Sequence, residues 1–148
     1  MTEAKRIAGS IFVLWLFVLA SYAVGASLSR SQSVPSHGSL VAVNVGVFQD
    51  AACTVNTTSI DWGVVDAGSA TNRSIYVKNT GNTAVTLSLA ATGWTPQGAS
   101  AYLSVTWDRE GAVLGAGQVV QTTFTLAVSA SVTGFTDFSN ILIVTGTN

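Results

Sequence analysis

Charged residues are scarce in this sequence of 148 residues, since six Lys and Arg and seven Asp and Glu make up 9% of the chain. The net charge is −1 and the basic residues do not cluster, which argues against nucleic-acid binding because that needs a basic stripe. Cys53 is the single cysteine, so an intrachain disulfide is excluded and we expect a small buried side chain there. His37 is the single histidine, and we expect it to be solvated rather than to serve catalysis or metal binding, which need convergent partners.

No combination of residues predicts an enzyme. Asp108 and Glu110 are too few for calcium, which takes six or more oxygen ligands, so we interpret them as a solvated turn. Paired carboxylates for glycoside hydrolysis cannot be placed, and Gly115-Ala116-Gly117 is a loop rather than a phosphate cradle. We therefore expect no enzymatic activity, no cofactor and no metal.

The first 26 residues have the order of a secretory signal. Lys5 and Arg6 precede an apolar run over residues 11–24, which closes on the small residues Gly25 and Ala26. A cleaved signal has an apolar core of about 7–15 residues, whereas a spanning helix needs about 20. We interpret residues 1–26 as a hydrophobic helix that is either a cleaved signal or a membrane anchor.

Both alternatives place the rest of the chain outside the cytoplasm. Cleavage after Ala23 or Ala26 gives a secreted or cell-surface protein. A retained anchor gives a single-pass membrane protein with its C-terminus outside, since Lys5 and Arg6 would face the cytoplasm. A pilin-like leader fits less well, because Ile7 directly follows the basic pair.

An alternating pattern of apolar and polar residues begins after a polar segment. Residues 27–38 contain several Ser with Pro35 and Gly38, which predicts a flexible spacer. The alternation over residues 39–148, rich in β-branched residues, is typical of half-buried antiparallel strands. The predicted inward-facing residues are Val41, Val43, Val45, Val47, Ile60, Trp62, Val64, Ile75, Val77, Val85, Leu87, Leu89, Leu103, Val105, Trp107, Val120, Thr122, Phe124, Leu126 and Val128, and residues 138–144 form the last strand.

Turn residues separate the predicted strands. The sequence Asn79-Thr80-Gly81-Asn82 predicts a hairpin, because Asn and Gly tolerate positive φ. About seven strands at a spacing of about 8–12 residues predict an all-β fold, an antiparallel immunoglobulin-like β-sandwich, over residues 39–148.

The tryptophans and two glycosylation motifs are the candidate recognition features. Trp62 and Trp107 share the phase of the inward-facing residues, so we expect them in the core, whereas Trp94 lies in a predicted loop and is the freest to stack on a sugar. Asn56-Thr57-Thr58 and Asn72-Arg73-Ser74 are acceptor motifs for N-glycosylation in an exported chain. Glycans at Asn56 and Asn72 would supply solubility that charge does not.

Two blocks of sequence carry a family resemblance. Residues 59–68 (SIDWGVVDAG) and 75–82 (IYVKNTGN) resemble the opening of immunoglobulin-like domains related to the major sperm protein. The chain is more similar to small exported archaeal β-sandwich proteins, over roughly residues 39–146, and in layout to archaeal thread and bundling-pilus subunits. The resemblance implies assembly in which an N-terminal strand is donated to the next subunit.

Residues 39–48 are the candidate donor strand, with Val41, Val43, Val45 and Val47 on one face. A sandwich that lacks one strand exposes an apolar groove and an unpaired edge, and an added strand fills both. A strand that fills the groove of its own chain gives a monomer, whereas one that fills the groove of a neighbour gives a head-to-tail filament. The sequence leaves both arrangements open.

Three functions are compatible with these features. The preferred one is an exported structural protein whose partner is a second copy of itself. The alternative is a membrane-anchored monomeric module that binds a protein or a glycan through loops around Trp94 or Asp108. The third is an accessory subunit of a membrane enzyme complex.

Overall fold

The predicted alternating segments form strands in the computed structural model, which describes residues 33–148. The hydrophobic helix expected within residues 1–26 lies outside the described residues. Within residues 33–148 no helix is long and apolar enough to cross a membrane. The strands are β1 Ser33–Val43, β2 Val45–Phe48, β3 Ser59–Asp66, β4 Ala70–Asn79, β5 Val85–Thr95, β6 Leu103–Trp107, β7 Val113–Leu114, β8 Val119–Val128 and β9 Phe138–Thr147, with a short 3₁₀ helix at Gln97–Ala101.

The strands form two sheets, one of five strands in the order β3-β1-β9-β5-β7 and one of four in the order β2-β4-β8-β6. Both sheets contribute buried apolar side chains to one core, which includes Trp62 and Leu142 from the first sheet and Phe124 and Leu126 from the second. The all-β fold with two sheets agrees with the expected sandwich. The described part has nine strands rather than about seven, because β7 is too short to show an alternation and β1 lies largely in the predicted spacer.

Each described strand is followed along the chain by a strand of the other sheet. The predicted hairpin at residues 79–82 is therefore wrong, because this turn joins β4 and β5, which lie in different sheets. The buried side chain of Asn79 fixes the crossing, since its Nδ2 donates to the carbonyls of Thr83 (2.7 Å) and Leu114 (2.9 Å). Its Oδ1 accepts from the N–H of Gly81 (2.9 Å). None of residues 79–82 has the positive φ on which the prediction rested, and turn residues alone do not determine which sheet the next strand joins.

The prediction of a wholly antiparallel fold is wrong at one pair. Strand β1 is antiparallel to β3 and parallel to β9, so that Gly38 lies opposite Ile60 on one side and Asn140 on the other. Strand β1 is thus an interior strand of its sheet.

The predicted spacer is also wrong over residues 33–38, which belong to β1; residues 27–32 lie outside the described residues. Small polar residues form a strand here because β3 and β9 supply backbone partners on both sides. Pro35 is tolerated because the pairing with β9 begins at Ser36, so Pro35 is opposite β3 alone. His37 lies within β1 and its side chain is exposed, as expected of a solvated histidine.

The candidate donor strand at residues 39–48 is not one continuous strand. Asn44 has a φ of 59° and separates β1, which ends with Val41 and Val43 in the five-stranded sheet, from β2 in the four-stranded sheet. Val45 and Val47 are buried, whereas the buried residues of β1 have even numbers from Val34 to Leu40. A slip of one residue exchanges the two faces of a strand, and the corner at Asn44 introduces that slip.

The turn between β6 and β7 is attached to β8 by Asp108. Burial by itself raises the pKa of this carboxyl, but hydrogen bonds and a positive charge together outweigh burial. The main-chain N–H of Thr123 (2.9 Å) and the hydroxyl of Thr122 (2.8 Å) donate to the carboxyl, and the guanidinium of Arg109 lies 3.8 Å from it. The pKa of Asp108 is therefore lowered. Asp108 is exposed in a turn, as the sequence predicted, and it also binds β8.

We expect Asp108→Asn to weaken the dependence of stability on pH. A carboxyl with a lowered pKa in the folded state stabilises that state above its unfolded pKa of about 3.9, and the contribution is lost as the pH falls through the folded pKa. The free energy of unfolding of the wild type should thus fall more steeply than that of the variant between about pH 5 and pH 2. Urea titrations across this range measure the slopes, and equal slopes would show that Asp108 contributes nothing.

Candidate functional site in the slot of the first strand

Strand β1 occupies a space between β3 and β9 that we call the slot. Among the strands within residues 33–148, β3 pairs with β1 alone, and β9 also pairs with β5. Strand β1 therefore connects β3 to the rest of the five-stranded sheet. Without β1, the backbone edges of β3 and β9 that face the slot would lose their partners.

The inward face of β1 is poor in apolar atoms for an interior strand. Among the residues of β1 whose burial the structure describes, the buried ones are Val34, Ser36, Gly38 and Leu40, so two of these four positions carry no apolar side chain. The neighbouring β9 buries Phe138, Asn140, Leu142, Val144 and Gly146, of which three carry apolar side chains. Because burial of a large apolar side chain contributes about 1.5–3 kcal/mol, β1 gains less from the core than β9 does.

Unpaired polar atoms are concentrated at the slot. Five buried side-chain polar atoms within residues 33–148 have no hydrogen-bond partner, and four of them are Ser36 Oγ, Trp62 Nε1, and Nδ2 and Oδ1 of Asn140. The fifth, Thr57 Oγ1, precedes β3. Buried polar groups are normally paired, and an unpaired one costs about 1–3 kcal/mol. The interface between β1 and its neighbours is thus the least well satisfied part of the described core.

The free edge of β3 is blocked by Arg73 from β4. Its guanidinium donates to the carbonyl of Asp61 through Nε (2.7 Å) and to the carbonyl of Trp62 through Nη2 (2.7 Å). Unpaired carbonyls on an edge strand invite pairing with another chain, and a charged side chain prevents this. Arg73 therefore closes this edge of the five-stranded sheet.

The opposite side of that sheet is blocked by Glu110. Strand β7 pairs with β5 at Val85 and Thr86, and beyond them Oε2 of Glu110 accepts from the N–H of Leu89 (3.0 Å). The same oxygen accepts from Nε1 of Trp107 (2.7 Å). Glu110 is exposed in a turn, as the sequence predicted, and its carboxylate takes the position of a neighbouring strand's carbonyl. Side chains thus bind backbone groups on both sides of the five-stranded sheet, and within this sheet the slot is the remaining place where a strand could be exchanged.

The predicted aromatic sites are mostly structural. Trp62 is buried in the core as predicted, and Trp107 is half-buried with its ring 5.5 Å from that of Phe124. Trp94 is wrongly predicted as a loop residue, because it lies near the end of β5 and its ring is 5.9 Å from that of Phe138.

The remaining predicted residues lie at the surface. Asn56 and Asn72 are exposed, Asn56 before β3 and Asn72 within β4. Cys53 is half-exposed in a turn with a φ of 55°, rather than buried as expected, because the turn between β2 and β3 lies outside the core. Within residues 33–148 no three His, Cys, Asp or Glu side chains are grouped closely enough to hold a metal ion.

The polar residues of the slot were missed by the sequence analysis. Asn140 lies in the inward phase of an apolar run, two residues after Phe138 and two before Leu142. A polar residue at an inward position of an apolar run is the sequence signal that would have identified Asn140. The function of Arg73 and Glu110 depends on which strands are at the edges, which the sequence pattern does not state.

No family model matches the chain, and no curated protein matches it.

We expect Asn140→Leu to raise the free energy of unfolding by about 1–3 kcal/mol, because it replaces a buried amide without partners by an apolar group of similar size. Asn79→Leu is the matched control: both side chains are buried, but that of Asn79 makes three hydrogen bonds, so its loss destabilises the protein. Urea unfolding followed by tryptophan fluorescence measures both. Destabilisation of similar size in both variants would mean that Asn140 is satisfied in solution.

We expect Glu110→Ala to increase self-association through the edge of β5, because the N–H of Leu89 loses its acceptor. Glu110→Gln is the control, since its side-chain carbonyl can still accept this hydrogen bond. Static light scattering against protein concentration measures the effect. If both variants scatter like the wild type, Glu110 does not protect the edge.

Proposed function

We propose that this protein is an exported structural protein, a subunit of an extracellular filament whose copies exchange β1. The observation that carries the proposal concerns β1, the strand that joins β3 to the rest of its sheet. Two of its four described buried positions carry no apolar side chain, and four unpaired buried polar atoms lie on β1 or on the strands beside it. Export is inferred from the leader-like residues 1–26. The proposal includes two further points. The sandwich is immunoglobulin-like, and it is related to archaeal thread and bundling-pilus subunits.

The connectivity supports exchange of β1 as a unit. Along the chain, β1 is joined to the other described strands at a single corner, Asn44, and its withdrawal leaves β3 as the strand without a partner in its sheet. An exchanged β1 would make the same contacts in a second copy that it makes in its own chain. The unpaired polar atoms of the slot are therefore the same in the closed and the exchanged states, so they do not favour either state. They lower only the free-energy barrier to opening of the slot.

The geometry of exchange favours an open assembly. A subunit that gives β1 to one neighbour and receives β1 from another has a head-to-tail contact, and such contacts form filaments unless the rotation closes a ring. The eleven residues of β1 span about 36 Å at about 3.3 Å per residue, long enough to tie two subunits together.

The exterior suits a protein that functions outside the cell. Charge is scarce, the exposed sites Asn56 and Asn72 would carry glycans, and Arg73 and Glu110 keep the sheet edges from associating. The partners in this proposal are other copies of the chain and, if the leader is retained, a membrane. The proposal involves no enzymatic activity, cofactor or nucleic acid.

A membrane-anchored monomeric binding module is the second candidate. The observation in its favour is that β1 fills the slot of its own chain, as it would in a monomer. Its expected binding residues are less favourable, because Trp94 packs on Phe138 and Asp108 accepts hydrogen bonds from Thr122 and Thr123.

We expect Asn44→Val to increase the fraction of assembled protein. A β-branched residue at positive φ is disfavoured by about 1–2 kcal/mol, so the variant favours an extended connection that carries β1 out of its own slot. Asn44→Gly is the control, because it also loses the hydrogen bond from Asn44 Nδ2 to the carbonyl of Gly146 (3.2 Å) but keeps the positive φ.

Size-exclusion chromatography with light scattering, followed by electron microscopy of the full chain in mild detergent, measures assembly. The proposal predicts more and longer filaments for Asn44→Val than for Asn44→Gly. A monomeric profile for the wild type and both variants at high concentration would contradict it and favour the binding module.

A further inference from the structure

We propose that Trp62 and Asn140 form a selectivity point that requires glycine at position 38 of the strand in the slot. The point would restrict the slot to β1 of this chain, or to β1 of a second copy. The part that concerns a second copy rests on the proposed exchange of strands, whereas the selectivity itself applies to either arrangement.

The two side chains converge on the space in front of Gly38. A Cβ atom built on Gly38 would lie 3.2 Å from Oδ1 of Asn140 and 3.6 Å from Nε1 of Trp62. The carbonyl of Ile60 would lie 3.5 Å from it. Both side chains are almost completely buried, with 1% of Trp62 and 2% of Asn140 exposed, and neither the indole N–H nor the amide has a partner.

These surroundings exclude a larger residue at position 38. The contact of 3.2 Å is tighter than a Cβ ordinarily makes, so a side chain there requires Asn140 to shift. Asn140 is buried between the sheets, with 2% of it exposed, so the shifted amide stays within the packed interior.

The same point fixes the register of the strand. A slide by two residues in one direction brings Leu40 against Asn140, where the space for a side chain is absent. A slide by two residues in the other direction removes Leu40 from its buried position and puts Gly38 there. The observed register satisfies both positions at once.

The required pattern is specific to β1. A strand that fits needs glycine facing Asn140 and leucine two residues later, and Gly38-Ser39-Leu40 is the single Gly-x-Leu in the sequence. No other segment of this chain therefore competes for the slot. Copies of the chain would recognise each other through β1, because their other strands lack this pattern.

Exchange of a labelled peptide into the full chain tests the proposal. The peptide spans residues 33–43 and carries the wild-type sequence, Gly38→Val, or the control Ser39→Val at the adjacent exposed position. The full chain, either wild type or Asn140→Ala, is incubated with each peptide in urea below the unfolding midpoint, and incorporation is read by fluorescence anisotropy.

We expect the wild-type and Ser39→Val peptides to enter the wild-type chain, and Gly38→Val to enter about tenfold less, as overpacking of a core site implies. Asn140→Ala should restore its entry.

Equal entry of all three peptides into the wild-type chain would overturn the selectivity point. If no peptide enters, the same substitutions in the full chain decide. A lower urea midpoint for Gly38→Val than for Ser39→Val, restored by Asn140→Ala in the same chain, supports the selectivity point and contradicts strand exchange. Equal midpoints for Gly38→Val and Ser39→Val would overturn the selectivity point itself.

Discussion

The pairing of β1 with both β3 and β9 is the interaction on which the five-stranded sheet depends. Among the described strands, β3 has no other partner in its sheet, so the position of Trp62 in the core follows from the presence of β1. An interior strand usually carries apolar residues that hold it in place. Here the strand carries Ser36 and Gly38 and lies against Asn140, so the sheet depends most on a strand that is held mainly through its backbone.

The sequence predicted those strands whose two faces differ. β4, β6, β8 and β9 bury one face and expose the other, so the alternation of apolar residues follows directly from burial. In β3 the alternation holds for Ile60 and Trp62 and then slips at Gly63, so Val65 is buried and the prediction that Val64 faces inward is wrong. The first part of β1, residues 33–38, was missed because Ser36 and Gly38 at its inward positions carry no hydrophobic signal. Its strand conformation comes from neighbours that are distant in sequence, which periodicity does not register.

The candidate site was predicted in part. The sequence placed a donor strand near Val41 to Val47, and the structure places the interior strand earlier, with a corner at Asn44. Positive φ at an asparagine is compatible with the sequence but not required by it. The partners of Trp62 and Asn140 depend on the register of β1, which is a property of the folded sheet.

Because charged residues are scarce, each charged side chain at a sheet edge contributes more to preventing edge-to-edge association. Arg73 and Glu110 belong to a set of 13 charged residues, and each binds the backbone of an edge strand. Sheets of Ser- and Thr-rich strands with few charges are prone to edge-to-edge pairing, so these contacts limit association elsewhere on the molecule. Association would then be directed to the slot, where opening requires loss of fewer apolar contacts.

Hydrogen–deuterium exchange of the native protein tests most directly whether β1 is the least strongly held strand. If it is, amides of β1 and β3 exchange together through a partial opening, at a free energy clearly below that of global unfolding, while the paired strands β4 and β8 exchange only on global unfolding. Protection of β1 equal to that of β8 would contradict the account, because the slot would then open no more easily than the core.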